Sequence, residues 1–245
     1  MARLILDIGN TRTKIAVFND HHLIDNRFVK GDFTNELRKI LHDHETFASC
    51  IVSNVVHSEE EIREALNFLD PSKIFFIRSG MLLPVKIVYK TPETLGNDRL
   101  ANACGAWNLN KNKNSLVIDM GTCIKYDFVN SQGDYLGGSI SPGLLMRYKA
   151  LTRFTGQLPY FKPNEEFPEL IGQSTEGSIR SGVEIGILEE IKGIVRRYKE
   201  VFDQTDIILT GGDHSKFADK LKSPIFVAPN LTLIGLNEIL NCNDQ

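Results

Sequence analysis

Two stretches of the chain place an aspartate two residues ahead of a glycine at the end of an apolar run. They are Asp7-Ile8-Gly9-Asn10-Thr11-Arg12-Thr13-Lys14 and Asp119-Met120-Gly121-Thr122. A glycine there permits a tight turn and lets backbone N–H groups approach an anion with no Cβ in the way. In the first stretch Asn10, Thr11 and Thr13 add neutral hydrogen-bonding groups and Lys14 adds a cation. An aspartate closing a buried strand beside such a loop can hold Mg²⁺ directly or through water. In the second stretch Thr122 offers a hydroxyl to a phosphate oxygen. A third apolar run ends in Leu209-Thr210-Gly211-Gly212-Asp213, a double-glycine turn whose backbone can lie flat against an adenine or ribose. One Asp-x-Gly turn is also an ordinary solvated hairpin. Three strand-ending glycine turns in one chain point to a bound nucleotide, with Lys14 and backbone donors set against the charge of a phosphoryl-transfer transition state.

A fourth stretch, Thr94-Leu95-Gly96-Asn97-Asp98-Arg99, sets an acid beside a guanidinium at the start of a predicted helix. One reading is helix-start chemistry, with Asp98 at the positive helix end and Arg99 a surface charge. The other makes Asp98 the proton acceptor for a substrate hydroxyl. An ordinary aspartate, with a pKa of about 3.9, is a weak base for an alcohol. In a loose phosphoryl-transfer transition state the proton moves late, so orientation counts for more than basicity. The planar fork of Arg99 suits a substrate carboxylate. Other groups are less informative. His42 and His44 lie two apart on a predicted helix, hence on different faces. Lys192, Arg196, Arg197 and Lys199 read as the wet side of a long helix.

These stretches need elements to hold them. Residues 4–9, 13–18 and 23–29 read as a three-stranded meander. Helices are predicted over 33–42 and 59–69 around a strand at 47–52, followed by a strand at 73–77 and a helix over 98–109. The pattern then restarts: Leu116-Val117-Ile118-Asp119-Met120-Gly121-Thr122 repeats the logic of Leu4-Ile5-Leu6-Asp7-Ile8-Gly9-Asn10. Strands follow at 123–129 and 134–140, and Pro142 leads into a helix over 143–154. Ser174 or Thr175 caps a long helix through Phe202. A strand at 206–210, a helix from His214, a strand at 225–227 and a last helix to Leu240 complete the pattern. Two copies of one unit imply an α/β protein of two lobes, 1–112 and 113–245, with a cleft between them. Gly182 and Gly186 on the long helix allow close helix packing, within the chain or between subunits.

Composition narrows the function classes. The 245 residues carry a formal net charge of −3, which gives no electrostatic footprint for nucleic acid or an anionic membrane. The longest apolar runs are only strand length. A strand-like run directly after Met1-Ala2-Arg3 leaves no room for a signal peptide. Cys50, Cys104, Cys123 and Cys242 are widely spaced without a Cys-x-x-Cys pair, which fits reduced thiols in the cytoplasm.

Taken in order and spacing, Asp7-x-Gly-Asn-Thr, Gly96-Asn97-Asp98-Arg99, Asp119-Met120-Gly121-Thr122, Gln173-Ser174-Thr175-Glu176 and Thr210-Gly211-Gly212-Asp213 resemble type III pantothenate kinase. The resemblance runs from Leu4 to the last helix. It implies two ribonuclease-H-like lobes of the actin/Hsp70/sugar-kinase (ASKHA) superfamily, with ATP in the cleft between them. The implied reaction is ATP-dependent phosphorylation of pantothenate to 4′-phosphopantothenate, the first step of coenzyme A biosynthesis, with Mg²⁺ accompanying ATP. Asp7, Ile8, Gly9, Asn10, Thr11, Arg12, Thr13 and Lys14 match the first ATP-phosphate segment, and Thr122 matches a further ATP contact. Asp98 matches the proton acceptor. Gly96, Asn97, Asp98 and Arg99 would line the pantothenate site, with Tyr89 and Thr175 as further substrate contacts. Asp119 matches the ligand of a monovalent cation, K⁺ or NH₄⁺, which the family requires. A cytoplasmic homodimer is implied, its active site formed across the subunit interface, with no nucleic-acid or membrane partner.

Two positions depart from the family pattern. Asn97 stands where Ala is common. The second turn continues Cys123-Ile124-Lys125-Tyr126-Asp127 where the family has Ala-x-Thr-x-Asp, so Lys125 replaces a threonine near the cation position. Strand alternation places Lys125 on the face of Cys123 and Asp127 and leaves open where its ammonium points. Three other functions compete with this one: another kinase of the superfamily, a catalytically silent regulator, and a ribonuclease-H-like nuclease. The nuclease needs a cluster of carboxylates beyond Asp7 and Asp119. Intact Asp98, Lys14 and Asp119 argue against silence.

Overall fold

The run Leu4-Ile5-Leu6 becomes the centre of strand β1 (Ala2–Ile8), buried on both faces. Burial on both faces is the mark of a strand covered from either side. In the computed structural model, which describes residues 2–44, 46–221 and 224–244, β1 pairs antiparallel with β2 (Thr13–Asn19), and β2 pairs antiparallel with β3 (His22–Val29). On its other edge β1 runs parallel to β4 (Ser49–Asn54), which runs parallel to β5 (Ile74–Phe76). The sheet order is β3-β2-β1-β4-β5. Leu4, Leu6, Ile8, Ile15 and Val17 form one core with Leu37 and Ile40 of α1 (Thr34–Asp43) and Ile62 of α2 (Glu59–Ala65). A capping box of Ser58 and Glu61 starts α2. A two-residue strand, β6 (Lys86–Ile87), then precedes α3 (Asn97–Leu109).

The same logic is repeated downstream. Strand β7 (Asn114–Met120) pairs antiparallel with β8 (Cys123–Val129), and β8 with β9 (Asp134–Pro142). The other edge of β7 runs parallel to β10 (Thr205–Thr210), and β10 to β11 (Ile225–Val227). Within this unit the strands run in the order β11-β10-β7-β8-β9, which matches the first sheet strand for strand when read from the β9 edge. Its core joins Leu116, Ile118, Tyr126 and Phe128 to Tyr148 of α4 (Leu144–Phe154) and Ile187, Ile191 and Val195 of α6 (Gly186–Val201). The long helix expected over 174–202 is built in three parts: α5 (Thr175–Arg180), a π-helical turn (Ser181–Ile185) and α6. Its polar side carries the pairs Lys192–Glu189 and Arg196–Glu200. Gly182 and Gly186 are exposed, and a Cβ on either meets nothing within 4 Å of it. A short helix, α7 (His214–Ala218), follows β10.

Met1–Lys111 together with Asn230–Gln245 make one compact unit, and Asn112–Pro229 make the other. The break near 111/112 lies one residue from the sequence division. The last helix does not stay with the second lobe as chain order implied: α8 (Leu231–Asn243) packs on β1, β4 and α3 of the first unit. The reason is its surface. Leu231, Leu233, Leu236, Ile239 and Leu240 are buried around its circumference together with the polar Thr232, Asn237 and Glu238, and a helix carrying apolar residues on every side must be enclosed. Contact with α3 is through glycine. A Cβ on Gly235 would lie 1.7 Å from the Ala101 carbonyl oxygen, and one on Gly105 would lie 2.6 Å from that of Leu231. Cys50 and Cys104 are buried free thiols, and burial pushes both well above the ordinary thiol range.

Candidate active site

In the first unit the hairpin between β1 and β2 sets Asp7 directly opposite Lys14. The Lys14 ammonium lies 3.1 Å from Asp7 Oδ2. Gly9 closes the turn by donating its N–H to the Arg12 carbonyl at 3.1 Å. Asn10, Thr11 and Arg12 are exposed at the tip, while Ile8 and Thr13 are buried and can offer a ligand only backbone groups. Lys14 also reaches Thr232 Oγ1 of α8 at 3.5 Å, and that hydroxyl donates to Asn102 Oδ1 of α3 at 2.9 Å. The Lys14 ammonium is thus linked through one buried hydroxyl to α3, the helix that carries Asp98 in its first turn. Sequence reading missed Thr232 and Asn102. The available signal was a threonine in the apolar first turn of a predicted helix, Leu231-Thr232-Leu233-Ile234.

Asp98 sits in the first turn of α3, behind Gly96 as the capping residue. The Arg99 N–H donates to Asp98 Oδ1 at 2.8 Å, which fixes the carboxylate at the positive end of the helix. A Cβ on Gly96 would come within 2.8 Å of that same oxygen, so this position favours glycine for steric reasons. Arg99 is not a surface charge: it is 6% exposed, with its guanidinium carbon 5.9 Å from the centre of the Tyr89 ring. Tyr89, Gly96, Asn97, Asp98 and Arg99 therefore form one neighbourhood.

The second unit repeats the hairpin with a difference. Asp119 ends β7 and is paired in register with Lys125 of β8. The Lys125 ammonium lies 2.8 Å from Asp119 Oδ2, and the two side chains are 14% and 10% exposed. The direction left open by the sequence is therefore toward Asp119. Thr210 lies beside Asp119 in the parallel pairing of β10 with β7. The chain then turns at Gly211 with φ +91°, where an added Cβ would lie 2.5 Å from Asp119 Oδ1. The double-glycine segment thus encloses the carboxylate, and the Asp213 N–H donates to the Met120 carbonyl at 2.9 Å. Thr122 is exposed at the turn, and its carbonyl accepts from the Gly143 N–H at 3.2 Å.

Thr175 is exposed at the start of α5, where Ser174 Oγ accepts from the Gly177 N–H at 3.0 Å. The loop leading to it is held from behind by a cluster that the sequence did not reveal. Glu184, fully buried in the π-helical turn, accepts from the Tyr148 hydroxyl at 2.6 Å and pairs with Lys216 at 2.9 Å and Arg180 at 3.8 Å. Lys216 also donates to the Asn164 carbonyl at 2.6 Å, and Arg180 to the Glu166 carbonyl.

Comparison with known proteins places the chain in a family. A family profile for type III pantothenate kinase matches residues 3–197. The type III pantothenate kinase of Bacteroides fragilis (strain YCH46) is 42% identical over 241 residues, 98% of each chain. The chain belongs to the type III pantothenate kinase family. The family's Cytophaga hutchinsonii member is 39% identical over 244 residues, 98% of this chain and 99% of that one. The matched segment contains each candidate residue from Asp7 to Thr175. Solved structures at lower identity have the same fold. A Campylobacter jejuni protein named for the Baf family of transcriptional activators is 20% identical with a TM-score of 0.61, over 97% of both chains. A glucokinase from an Antarctic psychrotroph is 13% identical with a TM-score of 0.50, over 98% of both chains. The fold of this type III pantothenate kinase family member is the two-lobed α/β fold of the actin/Hsp70/sugar-kinase superfamily.

Proposed function

We propose that Asp98 accepts the hydroxyl proton of pantothenate in the ATP-dependent reaction that forms 4′-phosphopantothenate, the first step of coenzyme A biosynthesis. The pantothenate oxygen bonds to the γ-phosphorus, the bond to the β–γ bridging oxygen breaks, and the proton passes to Asp98. The observation that carries this role is the fixed carboxylate at the start of α3, oriented by the Arg99 N–H, with the buried Arg99 guanidinium near the half-buried Tyr89 ring. Late proton movement makes orientation the decisive property. The Arg99 guanidinium suits the pantothenate carboxylate. Gly96, Asn97, Tyr89 and Thr175 supply the remaining substrate contacts.

Residues 7–14 cradle the ATP phosphates with exposed side chains at 10–12, backbone groups at 8, 9 and 13, and the Lys14 charge; Thr122 adds a hydroxyl. Among the described residues no three His, Cys, Asp or Glu side chains converge on a metal position. The lone Asp7 carboxylate, whose Oδ2 already meets Lys14, suits Mg²⁺ carried by the phosphates and reached through water, since this ion keeps several waters. Mg²⁺ bound with ATP would neutralise phosphate charge. Asp119 is assigned a monovalent positive charge beside the phosphates. No helix among the described residues is long and apolar enough to cross a membrane, consistent with work in the cytoplasm, and the active form is assigned as a homodimer.

An ATP-coupled assay with pantothenate tests the reading, alongside Asp98→Asn. Turnover should fall about 10²–10⁴-fold in the variant, the range for losing a positioned acid–base group. ATP affinity measured by calorimetry should be retained. No phosphorylation of pantothenate by pure, folded protein overturns the activity; full turnover in Asp98→Asn overturns only the role of Asp98. Light scattering then reports whether the active species is a dimer.

A further inference from the structure

We infer that the Lys125 ammonium is the monovalent cation of Asp119, so that this enzyme carries on its own chain the charge that its relatives take from solution as K⁺ or NH₄⁺. This deepens the reading above and rests on Asp119 holding a positive charge beside the phosphates.

The placement follows from the sheet. Asp119 and Lys125 are directly opposite in an antiparallel ladder, so both side chains leave the same face. The ammonium then reaches Oδ2 at 2.8 Å, a charge-assisted hydrogen-bond distance. Exposures of 14% and 10% separate this contact from a surface pair, whose long lysine side chain would sample many rotamers. The other carboxylate oxygen lies against backbone: a Cβ on Gly211 would come within 2.5 Å of Oδ1, so only glycine fits there. A second free cation would have to share one carboxylate with a like charge already in contact with it. The residues present therefore do not fit a diffusible K⁺ in addition to Lys125. Chemically, the side chain ends in an alkylated NH₄⁺.

The test compares wild type with Lys125→Thr, the residue common at this position in the family, in buffers where choline replaces K⁺ at constant ionic strength. Wild-type turnover should vary within about twofold as K⁺ is added, the residue of general screening. Lys125→Thr without K⁺ should lose about 10²-fold, the scale of removing one preorganised charge, and recover saturably with K⁺ or NH₄⁺. ATP binding by calorimetry gives a readout independent of pantothenate: K⁺ should tighten it in Lys125→Thr and leave wild type unchanged. Lys125→Met keeps the apolar stem if the threonine variant does not fold, and should show the same K⁺ response. Wild-type turnover or ATP affinity that rises tenfold or more with K⁺, on the scale of an allosteric coupling, overturns the inference. So does a folded variant that is indifferent to K⁺. Absence of pantothenate phosphorylation in every buffer would instead overturn the proposed reaction, with the ATP-binding response of the variant still deciding the role of Lys125.

Discussion

Replacing Gly235 with alanine should separate α3 from α8 and so disturb the helix that begins at Asp98. The added Cβ would lie 1.7 Å from the Ala101 carbonyl oxygen and 2.9 Å from the Gly105 nitrogen, both backbone atoms with no side-chain freedom to yield. Ordinary contact at about 3.5 Å requires the helices to part by nearly 2 Å. Overpacking of this kind costs about 1–3 kcal/mol or more, to which lost contacts of the buried α8 leucines add. Alanine returns about 1 kcal/mol through its helix propensity. With about 2 kcal/mol for the lost contacts, the expected net loss is about 2–4 kcal/mol, near the upper range for a single substitution. The chain's one tryptophan, Trp107, lies in α3, so its fluorescence during urea unfolding reports on the first unit. The Gly235→Ala midpoint should fall clearly, and kcat should fall in folded protein because Asp98 moves with α3. Gly193→Ala on α6 is the control: an added Cβ there meets nothing within 4 Å. That change should stabilise by about 0.4–1 kcal/mol, followed by far-ultraviolet circular dichroism. A Gly235→Ala protein as stable as wild type would refute the reasoning.

Thr232→Val removes the hydroxyl between Lys14 and Asn102; stability should fall by about 0.5–1.5 kcal/mol and KM for ATP should rise, read by denaturant unfolding and steady-state kinetics. Burial works against the charge of Glu190, but hydrogen bonds from Ser141, Arg147 and Tyr126 outweigh it and hold its carboxyl below the ordinary range. Its contribution is therefore complete above its unfolded-state value, near 4.5, and is lost as pH falls through the lower folded-state value, so Glu190→Gln should show a weaker loss of stability in acid than wild type. Glu184→Gln leaves the Lys216 and Arg180 charges without their carboxylate; a loss of about 3–5 kcal/mol is expected, with limited proteolysis cutting first within residues 155–174.

The turns at Asp7, Asp119 and Gly211 were legible in the sequence because turn chemistry is local: a glycine and its flanking polar residues carry the signal themselves. The position of α8 was not. Chain order puts it after β11, and nothing in its own residues names the sheet it covers; only its all-round apolar surface required that something enclose it. The direction of Lys125 depends on hairpin register, and a one-residue slip would turn it to the opposite face. The π-helical turn at 181–185 was invisible because its apolar spacing continues that of the helices on either side. The Glu184 cluster joins residues from three separated segments, a distance that local pattern does not span. The burial of Arg99 belongs to the same class: its charge said surface, and the Tyr89 ring and the packing of α3 decided otherwise.

The return of α8 to the first unit also sets an order of events during synthesis. Residues 112–229 are contiguous and leave the ribosome before residues 230–245 exist, so the second unit can close while the first still lacks its cover. Thr232 meets Asn102 across 130 residues of chain, so that meeting must wait until residue 232 has been made. Until then the apolar face of α3 and the upper side of β1 are open to chaperones. Maturation of this enzyme thus runs against the usual N-terminal-first sequence. A premature stop after residue 229 would strand the helix of Asp98 without its partner, though every residue proposed to touch ATP or pantothenate had already been made.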